Sequence, residues 1–112
     1  MKNIEELAKE LECTVFTMEI PTAVILDGYT SDLLSDVMGN ASEESALITI
    51  QAHKNTVAVA SLIGMRAIIL CNGRTPSEDM IEAARREEIA IIGSSENQFT
   101  VSYRLAKALG KV

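Results

Sequence analysis

Four times along this 112-residue chain a short apolar run is broken by small or polar residues and then followed by a segment of helical periodicity. The runs are Ala23–Leu26, Ala46–Ile50, Ala67–Leu70 and Ile89–Ile92. Each holds two or more β-branched residues and is too short for a helix, so each reads as a buried strand. The breaks are Asp27-Gly28, Gln51-Ala52-His53, Cys71-Asn72-Gly73 and Gly93-Ser94-Ser95. Unbroken apolar strands belong in sheets covered on both faces, and parallel strands need crossovers long enough to hold a helix. The alternation therefore predicts one compact α/β domain, with a mostly parallel sheet of about five short strands and helices on both faces.

The helices announce their own ends. Asn3 can cap a first helix, with Glu6 as its capping-box partner and Ile4, Leu7, Ala8 and Leu11 on one face. Cys13 to Met18 alternates toward a further short strand, and Pro21 ends that connection. Ser31 stands where an N-cap belongs for a helix from Asp32 to about Met38, whose buried face holds Leu33, Leu34, Val37 and Met38 and whose end is Gly39-Asn40. Asn55 would cap Thr56 to Ile63, closed by Gly64. That segment is apolar nearly all round, which predicts burial on more than one side. Ser77 opens a helix through Met80, Ile81 and Ala84 to about Glu88, with Glu78 and Asp79 suiting the dipole of its first turn. A last helix carries Phe99, Val101, Leu105, Ala106 and Leu109 and closes at Gly110.

Charge and composition narrow the function classes. The net charge of −6 argues against a nucleic-acid or anionic-membrane surface, since both need basic patches. The longest basic cluster, Arg85-Arg86, is flanked by Glu82, Glu87 and Glu88 and reads as a solvated helix face making i,i+4 pairs. Aromatics are 4% and tryptophan is absent, so the core is aliphatic. Cys13 and Cys71 lie far apart at the ends of apolar segments, the pattern of reduced thiols in a cytoplasmic protein. The amino-terminal residues form no signal-peptide apolar region, and no apolar run approaches the ~20 residues of a membrane span.

In a parallel sheet the turns after the strands collect at one edge, the carboxyl edge, where ligands bind in open α/β folds. Here that edge would gather Gly28, Tyr29, Ser31 and Asp32 after the first strand, Gln51 and His53 after the second, Asn72, Gly73 and Arg74 after the third, and Ser94 and Ser95 after the last. A strand, a glycine turn and a capped helix also present free backbone N–H groups, a ready site for an anion or polar ligand. Small polar residues there suit a ligand crevice and equally suit tight strand-to-helix turns. His53, the only histidine, has three readings: a ligand hydrogen bond, a structural part in starting a helix, or a general base acting with Ser31 or Asp32. Without a second histidine or a nearby cysteine it makes no metal site. No phosphate-binding P-loop, dinucleotide fingerprint, zinc-protease motif or nucleophile elbow occurs. Neither a metal nor a cofactor is expected, and no catalytic residue is assigned.

The run Gly28-Tyr29-Thr30-Ser31-Asp32-Leu33-Leu34-Ser35-Asp36-Val37-Met38, followed by Ile48-Thr49-Ile50-Gln51-Ala52-His53 and Asn72-Gly73-Arg74-Thr75-Pro76, resembles the DRTGG-domain family, most closely its stand-alone members. The resemblance extends from about Ile4 to Leu109 and implies one DRTGG-like domain over 1–112. Such domains are similar to the N-terminal domain of HPr kinase/phosphorylase and to the central region of some phosphotransacetylases. No Asp-Arg-Thr-Gly-Gly string is present, and Leu26-Asp27-Gly28 stands where a Gly-Gly pair is common. The resemblance implies a homodimeric, non-catalytic regulatory or ligand-sensing domain, with a small molecule, a nucleotide or phosphorylated compound among the candidates, at the carboxyl edge. The alternative is a structural protein that associates with itself or docks on a partner enzyme. For either, Val57 to Ile63 or the closing helix around Phe99 and Tyr103 would supply the apolar contact.

Overall fold

The computed structural model describes residues 1–112. The chain starts with a two-residue strand β1 (Lys2–Asn3) and helix α1 (Ile4–Glu10), whose N-terminus carries the Asn3–Glu6 capping box. Strands β2 (Thr14–Thr17), β3 (Val24–Ile25) and β4 (Asp27–Thr30) follow. Then come helix α2 (Leu34–Asn40), β5 (Ser45–Thr49), α3 (Lys54–Ile63), β6 (Ala67–Leu70), α4 (Glu78–Glu87), β7 (Ala90–Gly93) and α5 (Gln98–Ala108).

The main sheet has five strands in the order β2-β7-β6-β5-β4. Strands β4 to β7 are parallel, and β2 runs antiparallel along the outer edge of β7 with a bulge at Phe16. Moving from β4 to β7, the chain steps one strand at a time through α2, α3 and α4, all on one face. Helix α5 then crosses the opposite face beside α1 and returns over β4. Side chains alternate accordingly. Ala46, Ile48, Ala67, Ile69, Ala90 and Ile92 pack under α1 and α5, while Leu47, Ile68, Leu70 and Ile91 pack under α2, α3 and α4.

The strand register places small residues in one row across the sheet, Gly28, Ala46, Ala67 and Ala90, with a larger row of Thr30, Ile48, Ile69 and Ile92 beside it. The small row lets α5 sit close: a Cβ built on Gly28 would lie 2.7 Å from Leu105 Cδ2. Gly93 has the same role at the other edge, where a Cβ would lie 2.6 Å from the Phe16 ring.

Several sequence expectations shift here. The apolar run Ala23–Leu26 is not a strand of the main sheet. Val24 and Ile25 pair with β1 in a separate two-stranded ribbon, and the sheet strand is the more polar Asp27–Thr30. An edge strand has one solvent-facing flank, so it needs no continuous apolar run. Gly28 and Tyr29 are therefore strand residues, and Gly93 ends a strand instead of opening a turn. Helix α2 starts two residues later than expected and runs through Gly39 and Asn40 before closing at Ala41. Helix α3 starts at Lys54, with His53 in place of Asn55 at its N-cap; its end at Gly64, in the left-handed region at φ +88°, is as read. It is not buried all round: Thr56, Val57, Val59 and Ala60 face the sheet, but Leu62 is 76% exposed. Arg85 reaches Glu19 at 3.8 Å and makes no i,i+4 pair.

Candidate functional site

Asp32 is the centre of the carboxyl edge. Its Oδ1 accepts hydrogen bonds from the Thr49 hydroxyl at 2.8 Å, the Ile50 N–H at 2.9 Å and the Gln98 amide at 3.1 Å. Its backbone carbonyl accepts from the Gln51 amide at 3.0 Å. The Gln51 N–H donates to the Thr49 hydroxyl oxygen, and the Gln51 carbonyl accepts from the Thr56 hydroxyl at 2.8 Å. The Asp32 carboxylate thus ties the loop after β4 to the end of β5 and the first turn of α5, and its carbonyl, through Gln51, ties that loop to the start of α3. Burial alone would raise the pKa of this group. The Ile50 N–H, the Thr49 hydroxyl, the Gln98 amide and the nearby charge of Arg74 outweigh it and hold the carboxyl below its ordinary value.

A second brace joins the other two loops. The Asn72 N–H donates to the Glu96 carbonyl and the Gly73 N–H to the Ser94 carbonyl, both at 2.9 Å. Asn72 and Gly73 both have positive φ, 59° and 67°, which turns the chain sharply enough to make this contact. The Ser94 hydroxyl oxygen accepts from the Glu96 N–H at 3.1 Å. Glu96 in turn meets Arg104, which also reaches the Glu10 carbonyl and Glu12. The loop after β7 is thereby fastened to the end of α1.

The expected residues therefore separate into four groups, with Ser31 apart from them. Asp32 and Gln51 form one brace, and Asn72, Gly73 and Ser94 the other. His53 and Ser95 stand exposed at the rim, together with Arg74 and Lys54. Gly28 and Tyr29 lie away from the rim, in the body of β4. The Tyr29 hydroxyl donates to Asp36 at 2.9 Å, and Ser31 and Tyr29 together hold the Asp36 carboxyl below its ordinary value, with Ser31 the larger cause. Ser31 is not the cap of α2. Its hydroxyl oxygen accepts from the Leu33 N–H at 3.2 Å, in the turn before the helix, and the N-cap position falls to Leu33 with no side-chain hydrogen bond. The chain needs Asp32 turned inward toward β5, which delays the helix until Leu34.

No hydrogen bond links His53 to Ser31 or Asp32, and Asp32 Oδ1 is already shared among three donors. The Ser31, Asp32 and His53 arrangement that would serve general-base chemistry is not assembled. Cys13 and Cys71 are both free, and burial pushes each thiol up to about 11, so neither is a ready nucleophile at neutral pH. Three participants escaped the sequence reading: Gln98, Thr49 and Glu96. Thr49 carried the one available signal, a hydroxyl inside an otherwise apolar buried strand, which requires a partner.

The carboxyl edge is a knitted rim and not a deep crevice. Five cavities on the other faces of the molecule, of about 90 to 730 Å³, have none of Ser31, Asp32, Gln51, His53, Asn72, Gly73, Ser94 or Ser95 in their lining. Gly28 lines a small one of about 90 Å³ between β4 and α5. The topology accounts for this. A crevice opens where successive crossovers leave the sheet on opposite faces, and the three crossovers from β4 to β7 all use the same face.

No family model matches the chain, and no curated protein matches it. Among solved structures, the chain is similar to the CBS and DRTGG domains of the regulatory region of Clostridium perfringens pyrophosphatase, a structure complexed with the activator diadenosine tetraphosphate. The TM-score is 0.73 at 18% sequence identity, over 96% of this chain and 47% of that one. The likeness shows the fold, and the chain spans about half the length of that structure. No helix is long and apolar enough to cross a membrane.

Proposed function

We propose that the chain is a non-catalytic regulatory module that senses a small molecule at the rim of its carboxyl edge, and that the molecule is anionic, of the nucleotide or phosphorylated class. The observation that carries this reading is the bracing of all four strand-to-helix loops at one edge, beside exposed His53, Lys54 and Arg74. A molecule gripping those side chains would press directly on the Asp32–Gln98 and Asn72–Glu96 bonds, which set where α5 sits relative to α2 and α3. Binding energy at the rim would then move a helix on the opposite face, which is what a sensor requires. The likeness to a regulatory region bearing a nucleotide activator supports the same reading, as does the resemblance of the Gly28–Met38 segment to DRTGG domains.

Thermal unfolding against nucleoside mono-, di- and triphosphates, dinucleoside polyphosphates and sugar phosphates tests it. A ligand at a hundredfold its Kd adds about 2.7 kcal/mol to stability. Arg74→Glu should abolish that gain while lowering the unliganded midpoint by no more than about 1 kcal/mol, since Arg74 is exposed although its charge favours the Asp32 carboxylate. If no compound in the panel raises the midpoint, the sensing reading falls. A second reading, an interaction protein that self-associates or docks on an enzyme, is favoured by Phe99 and Tyr103, which stand 84% and 55% exposed one turn apart on α5.

A further inference from the structure

A roomy cavity lies away from the carboxyl edge. It is an open groove of about 730 Å³ on the outer face of the helical layer, between α3 and α4. Val57, Ala58, Leu62 and Ala83 form its apolar floor. Helices α3 and α4 each follow a parallel strand and so run in the same direction, which places Lys54 at one end of the groove and Arg86 at the other. The Ser61 hydroxyl donates to Glu87 at 2.6 Å, which links the two helices beside Leu62. From Lys54 to Leu62 is eight residues, roughly 12 Å at 1.5 Å per residue.

The charges say what fits. Lys54 and Arg86 are both exposed and make no ion pair, and the one acid in the groove's lining, Glu87, already accepts the Ser61 hydroxyl. We infer that the α3–α4 groove docks an amphipathic helix of another protein, one with an apolar stripe and acidic residues about two turns apart that meet Lys54 and Arg86. A second copy of this chain is a poor occupant. Its own exposed stripe, Phe99 and Tyr103 on α5, is flanked by Arg104 and Lys107, which would oppose the groove's cations. A groove-to-stripe contact between copies would also be heterologous and open-ended. The inference rests on the interaction reading; it shares Lys54 with the rim, so its test varies Leu62 and Arg86, which lie at the far end of the groove.

The test uses a labelled helical peptide of roughly 15 residues, with leucines at i, i+4 and i+7 and glutamates two turns apart. A sister peptide carries lysines in place of the glutamates. Fluorescence anisotropy should show saturable binding of the glutamate peptide and weaker binding of the lysine peptide. Leu62→Asp should abolish binding, and this exposed position leaves folding intact, as circular dichroism checks. Arg86→Glu should weaken the glutamate peptide about three- to fivefold and reverse the preference toward the lysine peptide. Equal affinity for both peptides, no binding of either, or binding indifferent to Leu62→Asp would overturn the inference. So would light scattering in which Leu62→Asp splits a dimer, since the groove would then be filled by a second copy. Loss of ligand sensing in Arg74→Glu leaves these outcomes unchanged, which keeps the two readings separable.

Discussion

At Gly28 strand β4 passes so close beneath α5 that a methyl group would lie 2.7 Å from a Leu105 carbon, and Leu105 is itself buried. Gly28→Ala should therefore cost about 1–3 kcal/mol through overpacking, read as a lower urea midpoint at unchanged slope. Combining it with Leu105→Ala should give less than the sum of the two single losses, because the smaller side chain vacates the space the methyl needs. An additive double variant would show that the clash is not with Leu105. Asp32 makes a prediction of a different kind. Its folded carboxyl lies below the ordinary carboxylate value, so it contributes stability that is fully present at neutral pH and is lost as the pH falls below about 4, through the folded value. Asp32→Asn should be about 1–2 kcal/mol less stable than the parent at pH 7, and the two should converge toward pH 2. Urea titrations at several pH values check this, and a constant difference across the range would refute it. The sequence marked Asp32 but misread its work. Its partners Thr49, Ile50 and Gln98 are 17, 18 and 66 positions away, and hydrogen bonds across such distances leave no local pattern to read.

Among the elements, those whose ends are written in local chemistry were legible and those whose ends are set by pairing were not. The Asn3–Glu6 capping box, the Ser77 cap on the Met80 N–H and the left-handed Gly64 are contacts within one turn of chain, and each stands where the residues put it. The strand after Ala23 was misplaced by four residues because its position depends on β5 and α5, not on its own hydrophobicity. The Asp27–Thr30 pairing with Ser45–Ile48 fits Gly28 under Leu105, and no other residue of that segment could pass there. Helix α2 slipped for a related reason: an aspartate that braces another strand cannot also begin a helix. Ser31 and Ser77 both stand where a helix cap belongs, yet only Ser77 caps one. Ser77→Ala should cost about 0.5–2 kcal/mol, since it strips the cap from a ten-residue helix. Ser31→Ala should cost clearly less, because its hydroxyl serves a turn ahead of α2 and caps nothing. Paired chemical denaturation of the two variants decides it, and equal losses would restore Ser31 as a cap.

At the scale of the whole molecule, the sheet's one-way winding leaves three kinds of surface: a braced rim at the carboxyl edge, a groove between α3 and α4, and an apolar stripe along α5. The α/β class followed from alternation and the aliphatic core from composition, whereas which face each helix covers depended on the direction of winding, a property of no single segment. That same ambiguity hid the consequence of a missing switch point, namely that the rim would be shallow. The α5 stripe is the surface suited to self-association. Phe99 and Tyr103 are one turn apart and exposed, and Lys107 follows one turn later, while Glu96 precedes the helix. Two copies of α5 packed antiparallel across a two-fold axis near Tyr103 would set Phe99 of each against the Lys107 stem of the other and bring Lys107 toward the partner's Glu96. Such a contact is self-complementary and closes at two copies. A stable interface needs about 800 Å² from each partner, so the stripe must be joined by its neighbours on β4 and α1. We expect light scattering at micromolar concentration to give about twice the 12.1 kDa of one chain. The double change Phe99→Glu, Tyr103→Glu should return the mass to that of one chain without lowering the unfolding midpoint of the monomer, since both side chains already face water. A parent mass near 12.1 kDa would reject the dimer, and a dimer that survives the double change would place its interface elsewhere.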